Sequence, residues 1–330
     1  MTLDLVGIGQ PCMDMISVVQ RIPGPDQSTR VLEVSRQGGG VVPTAIVAAA
    51  RLGARTGFVG VSGGCVHGRA IRDDFERHGV DLSHAPIDAS GYSDFAMIVS
   101  DLETRGRSIL YHPGTVRHLT LSDLDKGYIT SARMLHLAGS GPVELQAAKW
   151  MKAAGGQVIY DGTSVSEGLT ELLPYLDALI ISEYFHRERF PDTEYLRNCE
   201  TLRQAGPAIV VVTLGKNGCA GVGPEGAFTV PVFPTPVKDT LGAGDVFHGA
   251  FAFGLLQGWA TPEVARFANA VSSIKVTAIG GRAGIPDLKT VERYLETGEL
   301  DRTELEARVR MYRDLWLFGT PNDEGGPHGI

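Results

Sequence analysis

The chain has 330 residues, of which 43% are hydrophobic, so it can bury a full core as one large α/β domain or as two smaller ones. Its formal net charge is −8 and no dense Lys/Arg run is present, which argues against nucleic acid and anionic membranes as partners. No apolar run approaches the ~18 residues of a membrane span, no basic region precedes the apolar start, and the four cysteines form no CxxC pair. We therefore expect a cytoplasmic protein without a zinc site or disulfides.

The first part of the chain contains apolar segments typical of an α/β core. Leu3–Gly9 is a short apolar run that predicts a buried strand, and Met15–Val19 is interpreted as its possible continuation. The glycine triplet 38–40 precedes an Ala-rich segment that ends at Leu52-Gly53, which predicts a helix closed by a C-terminal glycine.

Two polar segments interrupt this core pattern. Thr29–Val34 lies in the first and alternates as a half-exposed strand does, while the second contains the alternating stretches Asp94–Asp101 and Arg107–Tyr111 on either side of a turn. Together they predict a small β-sheet over the open edge of the core, where it would exclude water as a lid. We assign residues 14–36 and 91–111 to this lid.

Beyond residue 112, apolar strands and helices alternate, which predicts a mostly parallel sheet flanked by helices. The predicted strands are Met134–Ala138, Gln157–Asp161, Ala178–Ser182 and Ala208–Thr213. The fold class is therefore α/β, with a core formed by residues 1–13, 37–90 and 112–318 and a disordered tail at 319–330.

The stretch Asp239–Ala250 carries the strongest chemical signal. Gly242, Ala243 and Gly244 form a glycine-rich turn at the start of an apolar helix, where unpaired N–H groups favour an anion. Asp245 lies in the first helical turn. On its own it would be interpreted as a helix-dipole aspartate, but beside this turn it can deprotonate a hydroxyl that attacks a phosphoryl group. The stretch predicts a kinase of small alcohols.

Four segments resemble, in order, the motifs of the ribokinase-like, pfkB-type carbohydrate kinases. They are GGGVVPTAIVAAARLG, VVTLGKNG, DTLGAGDVFHGAF and GGRAGIP, which begin at residues 38, 211, 239 and 280. The resemblance covers residues 3 to about 290 and implies a ribokinase-like fold with a small β-sheet lid. It also implies the cofactors ATP and Mg²⁺, K⁺ beside the anion hole, and a homodimer formed through the lid.

The resemblance assigns roles to single positions. Asp245 matches the catalytic base, and Gly242, Ala243 and Gly244 match the anion hole. The positions placed at the sugar are Asp14, Gly39 and Gly40, and Thr44 aligns with a further sugar contact. Those placed at the nucleotide are Thr213, Gly215, Gly218 and Gly281, together with Asp239 near the phosphates and the monovalent cation. Apart from the resemblance, Tyr111 is a candidate substrate contact because it ends the lid hairpin, and Glu183 is a candidate metal ligand, with Asp239, in place of an acid that the family pattern has and this chain lacks.

The chain departs from the family pattern at three places. Thr44 stands where asparagine is usual, and the NxxE motif is replaced by a segment that contains Glu183. The sequence is similar to a subgroup that includes the sulfofructose kinases, but Leu137–Ser140 offers no equivalent of the sulfonate-binding arginine. A different small sugar or sugar derivative is therefore the expected substrate.

Other interpretations stay open at this point. Gly7-Ile8-Gly9 lacks the third glycine of a dinucleotide-binding fingerprint, and no Walker motif is present, so a dehydrogenase or P-loop ATPase is disfavoured. A nucleoside kinase, a keto-deoxy sugar acid kinase or a non-catalytic sugar sensor remain alternatives. We expect His248 to pack in the core, and Arg30 and Arg107 to be exposed rather than to recognise an anionic substrate. For Arg282, a contact with a nucleotide or sugar phosphate and the absence of such a contact both stay open.

Overall fold

A computed structural model describes residues 2–104 and 106–319. Apart from Gly319, the predicted disordered tail lies outside the described residues. The described chain contains fourteen strands: β1 (Leu5–Ile8), β2 (Cys12–Val19), β3 (Val31–Gly39), β4 (Thr56–Val59), β5 (Ser62–Gly63), β6 (Ile87–Asp88), β7 (Asp94–Asp101), β8 (Arg107–His112), β9 (Met134–Leu137), β10 (Gln157–Gly162), β11 (Ala178–Ser182), β12 (Ile209–Thr213), β13 (Cys219–Gly223) and β14 (Gly226–Val230).

Eleven α-helices accompany these strands in the described residues. They are α1 (Val41–Arg51), α2 (Val66–Arg77), α3 (Lys126–Thr130), α4 (Pro142–Ala153), α5 (Leu169–Leu172), α6 (Glu183–Arg189), α7 (Tyr195–Arg203), α8 (Ala243–Leu256), α9 (Thr261–Lys275), α10 (Leu288–Thr297) and α11 (Thr303–Phe318). None of the described helices has the length and apolar character needed to cross a bilayer.

The large sheet has eight strands in the order β14-β13-β12-β11-β10-β9-β1-β4. The pairs from β12 to β4 are parallel, and β13 and β14 extend the edge antiparallel. Alternate residues of each strand face opposite sides. In β11, Ala178 and Ile180 join one apolar cluster with α1, α8 and α9, while Leu179 and Ile181 join another with α4 and α7. Helices therefore cover both faces, and the predicted mostly parallel α/β fold is confirmed.

The small sheet has the order β3-β2-β7-β8. The strand β2, which contains Met15–Val19, is not a continuation of β1. It belongs to the small sheet, because it pairs antiparallel with β3 and parallel with β7. The strand β2 begins at Cys12, two residues before the predicted lid segment, and β3 continues to Gly39, because backbone pairing with β2 extends through Cys12 and Gly39. The division into core and lid stays a prediction.

One face of the small sheet packs on the core. Ile16, Ala96 and Ile98 form an apolar cluster with Ile279, and Leu241 lies against it. Both partners belong to loops that adjoin the start of α8. The small sheet is therefore held directly over the glycine-rich turn.

Candidate active site

The turn into α8 leaves backbone donors without partners. Gly242 precedes the helix with φ of 71°, a left-handed conformation that favours glycine, and a Cβ there would lie 2.9 Å from Gly281 Cα. The Ala243 N–H donates to Thr240 O at 3.2 Å, whereas no acceptor in the described chain receives the N–H groups of Gly244 and Asp245. These two N–H groups stay available at the positive end of the helix, where the helix dipole favours negative charge.

The loop before this helix is fixed from two sides. The buried Asp239 carboxylate accepts the N–H of Leu241 at 2.9 Å and that of Gly280 at 2.8 Å. On the other side, the Lys275 ammonium donates to the carbonyl oxygens of Asp239 and Leu241. Burial lowers the pKa of Lys275 to about 8, although Asp239 and Asp245 oppose this shift.

Asp245 is half-buried beside the unpaired N–H groups. Burial raises its pKa well above the usual value, and the carboxylates of Asp161 and Asp14 add to the rise. Lys275 and Arg107 act in the opposite direction. A carboxylate with an increased proton affinity is suited to accept a proton from an alcohol.

A buried polar group lies behind Asp245. His248 Nδ1 is 2.7 Å from Gly244 O and 3.0 Å from Asp161 Oδ2, and Nε2 is 3.3 Å from Ile180 O. Burial raises the pKa of Asp161, with His248 opposing the rise. His248 is therefore packed in the core, as expected, and it also contacts the carbonyl of the peptide that supplies the Asp245 N–H.

The inner face of the small sheet supplies a second group of polar side chains. Asp14, Ala96 and Tyr111 lie side by side across β2, β7 and β8. The Tyr111 hydroxyl donates a short hydrogen bond to Asp94, whose other oxygen accepts the Gly114 N–H at 2.8 Å. Tyr111 is thereby held on the same face of the small sheet as Asp14, and its side chain stays exposed.

Asp14 is held against a glycine. A Cβ on Gly39 would lie 2.3 Å from Asp14 Oδ2, so a side chain there would displace the carboxyl group. Burial raises the pKa of Asp14 to about 6, and Arg282 opposes the rise. Arg282 is itself fully buried and paired with Asp74, so it supports this strand pair from behind. It does not line the cleft that runs beside the start of α8.

Gly40 and Thr44 lie at the start of α1. Gly40 caps the helix, its carbonyl accepts the Thr44 N–H at 3.0 Å, and its positive φ of 98° excludes most side chains. Thr44 is buried with its hydroxyl facing Gly281. Gly281 therefore lies between α1 and the turn into α8, and it is not one of the residues that line the cleft beside the start of α8.

That cleft runs from the edge of the large sheet to the start of α8. One end has apolar walls, and the other contains backbone and polar groups. Its lining includes Thr213, Gly215, Lys216, Gly218, Val232, Phe233, Val276, Thr240, Gly244 and Arg107. A ligand with a flat apolar ring at one end and an anionic chain at the other fits this arrangement.

Arg107 extends from β8 to the polar end of the cleft, where the anionic part of a ligand would lie. Its Nη1 donates to Thr240 Oγ1 at 2.9 Å, and on the opposite edge of the same sheet Glu33 pairs with Lys238 at 2.7 Å. Arg107 is exposed, as expected, but its guanidinium lies over the turn that precedes the unpaired N–H groups. Gly244 lines the cleft next to Asp245, and Asp14 and Arg107 of the small sheet both act electrostatically on Asp245.

Comparison with known proteins identifies the family of this chain. The model of the pfkB family carbohydrate kinases matches residues 2–288. The chain belongs to this family. It is therefore assigned to the sugar and nucleoside kinases of this ATP-using family, which sets aside the dehydrogenase alternative.

This kinase is similar to proteins that act on different acceptors. It is 28% identical over 315 residues to a 5-dehydro-2-deoxygluconokinase of Shouchella clausii, covering 89% of this chain and 95% of the relative. It is 26% identical over 297 residues to a nucleoside kinase of Methanothermobacter thermautotrophicus, covering 88% and 95%. An Arabidopsis thaliana ribokinase solved with ribose and ATP superimposes with a TM-score of 0.76 at 26% identity, covering 90% and 99%.

The two residues predicted to bind the metal in this kinase, Asp239 and Glu183, both take part in hydrogen bonds within the protein. Within the described residues, no three His, Cys, Asp or Glu side chains form a metal cluster. Glu183 begins α6, beyond the end of β11, and accepts the Tyr195 hydroxyl at 3.1 Å. Both Asp239 oxygens already accept backbone N–H groups, although a carboxylate retains further lone pairs. This donor set fits Mg²⁺ carried mainly by nucleotide phosphates and water.

Three charged residues of the site were missed by sequence reasoning. The sequence predicts Arg107 to be exposed rather than to recognise an anion, and it assigns no site role to Asp161 or Lys275. A single lysine in the otherwise uncharged segment SSIKVTAIGG, residues 272–281, was the available signal for Lys275.

The raised pKa of Asp14 generates a stability prediction. Its pKa is about 6 in the folded protein and near 3.8 in the unfolded chain, so ionisation of Asp14 destabilises the fold as pH rises through this interval. The side chain of Asp14→Asn stays uncharged, so the free energy of unfolding of this variant should exceed that of wild type by about 1–3 kcal/mol above pH 7. The difference between the two proteins should close as pH falls toward 4. Urea denaturation at several pH values measures it; a difference that does not vary with pH contradicts the assignment.

Proposed function

We propose that this kinase transfers the γ-phosphoryl group of ATP to a primary hydroxyl of a small sugar or sugar derivative, with Asp245 as the base. One observation carries the proposal. Asp245, with its raised pKa, follows Gly244, whose unpaired N–H lines the cleft, and it interacts electrostatically with Asp14 and Arg107 on the inner face of the small sheet. An acceptor hydroxyl and a terminal phosphate can meet only at such a junction.

The nucleotide would occupy the cleft. Its adenine would lie between the apolar walls near Phe233 and Val276, with Thr213, Gly215 and Gly218 along the neighbouring loop. The phosphates would extend toward Thr240. Mg²⁺, when bound with ATP, would neutralise phosphate charge, and Glu183 and Asp239 are the residues proposed to hold it.

The transfer itself would be a single in-line displacement. The sugar would be bound by Asp14, Gly39, Gly40, Thr44 and Tyr111 under the small sheet. Its hydroxyl oxygen forms the new O–P bond, the bond from the γ-phosphorus to the bridging oxygen breaks, and ADP leaves. The hydroxyl proton moves to the Asp245 carboxylate. The unpaired N–H groups of Gly244 and Asp245 would stabilise charge on the phosphoryl oxygens, with Gly242, Ala243 and Gly281 shaping the turn that presents them.

The chemistry of the pocket favours an uncharged acceptor. The inner face of the small sheet carries the carboxyl groups of Asp14, which acts electrostatically on Asp245, and of Asp94, and carboxyl groups accept hydroxyl groups well and repel acids. A nucleoside or a keto-deoxy sugar acid, as the names of the relatives indicate for those proteins, are the alternatives. A screen of ADP release over pentoses, ketohexoses, sugar acids, sulfosugars and nucleosides separates them.

We also propose cytoplasmic location, supported by four free cysteines, and a homodimer formed through the outer face of the small sheet. Met97 and Leu110 face each other across β7 and β8 on that outer face and are more than half exposed. A second copy of the chain would bury them.

The dimer proposal predicts that Leu110→Glu yields a monomer, because a buried charge opposes association. Light scattering after size-exclusion chromatography measures the mass. Leu121→Glu, at a similarly exposed leucine outside the small sheet, is the matched control and should leave the mass unchanged. A wild-type monomer would refute the dimer.

The base assignment predicts that Asp245→Asn lowers kcat by about 10²–10⁴-fold while ATP affinity survives, because the amide cannot accept the proton. Wild-type kcat/KM should also fall as pH decreases through the raised pKa of Asp245. Coupled ADP-release kinetics and calorimetric ATP titration provide the two readouts. Glu263→Gln, at the first turn of α9, controls for a mere helix-dipole effect; unchanged kcat in Asp245→Asn would exclude the base role.

The position of Arg107 predicts that it stabilises the transferred phosphoryl group. Arg107→Ala should lower kcat by about 10–100-fold, the usual effect of losing one charge-assisted hydrogen bond, with a smaller change in the KM for ATP. Arg30→Ala removes an exposed arginine just before β3 and is expected to retain wild-type kinetics. An effect on KM alone would place Arg107 in ground-state binding.

A further inference from the structure

The end of α9 places a buried cation against the turn that leads into α8. The Lys275 side chain is fully buried. Its Nζ donates to Asp239 O at 3.2 Å and forms a shorter hydrogen bond to Leu241 O. These carbonyl oxygens belong to the residues immediately before Gly242, so the ammonium fixes the backbone from which the unpaired N–H groups project.

Backbone carbonyl oxygens are also the ligands that replace the hydration shell of a monovalent cation. A potassium ion bound beside this turn would be coordinated by the backbone carbonyl oxygens on the inner side of the turn. In this chain, the Lys275 ammonium already lies at hydrogen-bond distance from two of them. A second cation sharing these oxygens would lie within a few ångströms of the ammonium and would be repelled by it. The residues present therefore do not fit K⁺ at this position.

The local charges explain why an internal cation is useful here. The carboxylates of Asp239 and Asp245 act on Lys275 as opposite charges, and Arg107 acts as a like charge. The ammonium thus supplies positive charge next to the helix start and at the same time satisfies two oxygens that would otherwise be buried without donors. A protein side chain supplies this charge at every salt concentration, whereas a bound ion requires its concentration to exceed its Kd.

We propose that the Lys275 ammonium takes the place of an activating monovalent cation, so that this enzyme needs no K⁺. The effect on rate rests on the proposed anion hole, but the effect on cation binding and stability does not. Lys275 is in this sense a positioning residue, because it acts through the backbone of residues 239–242 and contacts no reacting atom.

The first experiment uses the wild-type protein. Its thermal unfolding midpoint and its ADP release with an accepted alcohol are measured in tetramethylammonium chloride, with K⁺ added at constant ionic strength. Binding of Tl⁺, a K⁺ mimic, is followed by thallium NMR. We expect no K⁺-specific change in midpoint or rate and no Tl⁺ site. An unfolding midpoint that rises by several degrees with K⁺, a rate that rises several-fold with K⁺, or a saturable Tl⁺ site would each overturn the proposal.

The second experiment converts the site. Lys275→Met removes the ammonium but keeps a long unbranched side chain, so kcat should fall by about 10–100-fold. K⁺ should then restore part of the rate and raise the unfolding midpoint, with Tl⁺ binding at saturation. Lys152→Met removes a lysine that pairs with Asp177 far from the cleft, and it should behave like wild type toward K⁺. Lys275→Met that binds Tl⁺ no better than wild type would contradict the substitution of one cation by another.

The two readouts separate this proposal from the proposed function. If no alcohol acceptor is phosphorylated, the proposed function fails, yet the midpoint and Tl⁺ measurements on the wild type still decide the role of Lys275. If Lys275→Met does not fold in K⁺-free buffer, recovery of folding by K⁺ supports the proposal, and failure to recover counts against it.

Discussion

The candidate site depends on opposite charges that hold one turn from two sides. The Asp239 carboxylate accepts two backbone N–H groups, and the Lys275 ammonium donates to two backbone oxygens of the same loop. Each charge is buried, and each is satisfied by peptide dipoles that water cannot reach. Because the loop is thereby fixed, the N–H groups of Gly244 and Asp245 remain unpaired and keep one direction. An anion hole needs this preorganisation, since donors that must first reorient contribute little to the rate.

Acidic groups converge at this point from three elements. Asp14 comes from β2, Asp161 from the end of β10 and Asp245 from α8, and the charge of each of the first two raises the proton affinity of Asp245. Burial of such groups costs folding free energy, as the raised pKa of Asp14 indicates. The arrangement is therefore poor for stability and favourable for a proton acceptor, which is the usual conflict at catalytic sites.

The two faces of the small sheet have different surroundings because side chains alternate along a strand. On the inner face, Asp14 and Tyr111 lie toward the proposed sugar position, and Arg107 lies two rows further along the same face, over the cleft. On the outer face, Met97 and Leu110 are left exposed. A one-residue shift in strand register would exchange these faces, so the pairing of β2 with β7 fixes the proposed substrate site as well as the proposed dimer surface.

The sequence by itself determined the class of fold, most element positions and the turn at 242–245, because buried strands, glycine-rich turns and helix starts leave local patterns. It determined the family for the same reason. Only the tertiary structure decided that Arg107, Asp161 and Lys275 meet at Asp245 and that Arg282 pairs with Asp74 away from the cleft. These contacts join residues far apart in the chain, and a charged residue has the same local signature whether its partner is water or a buried group.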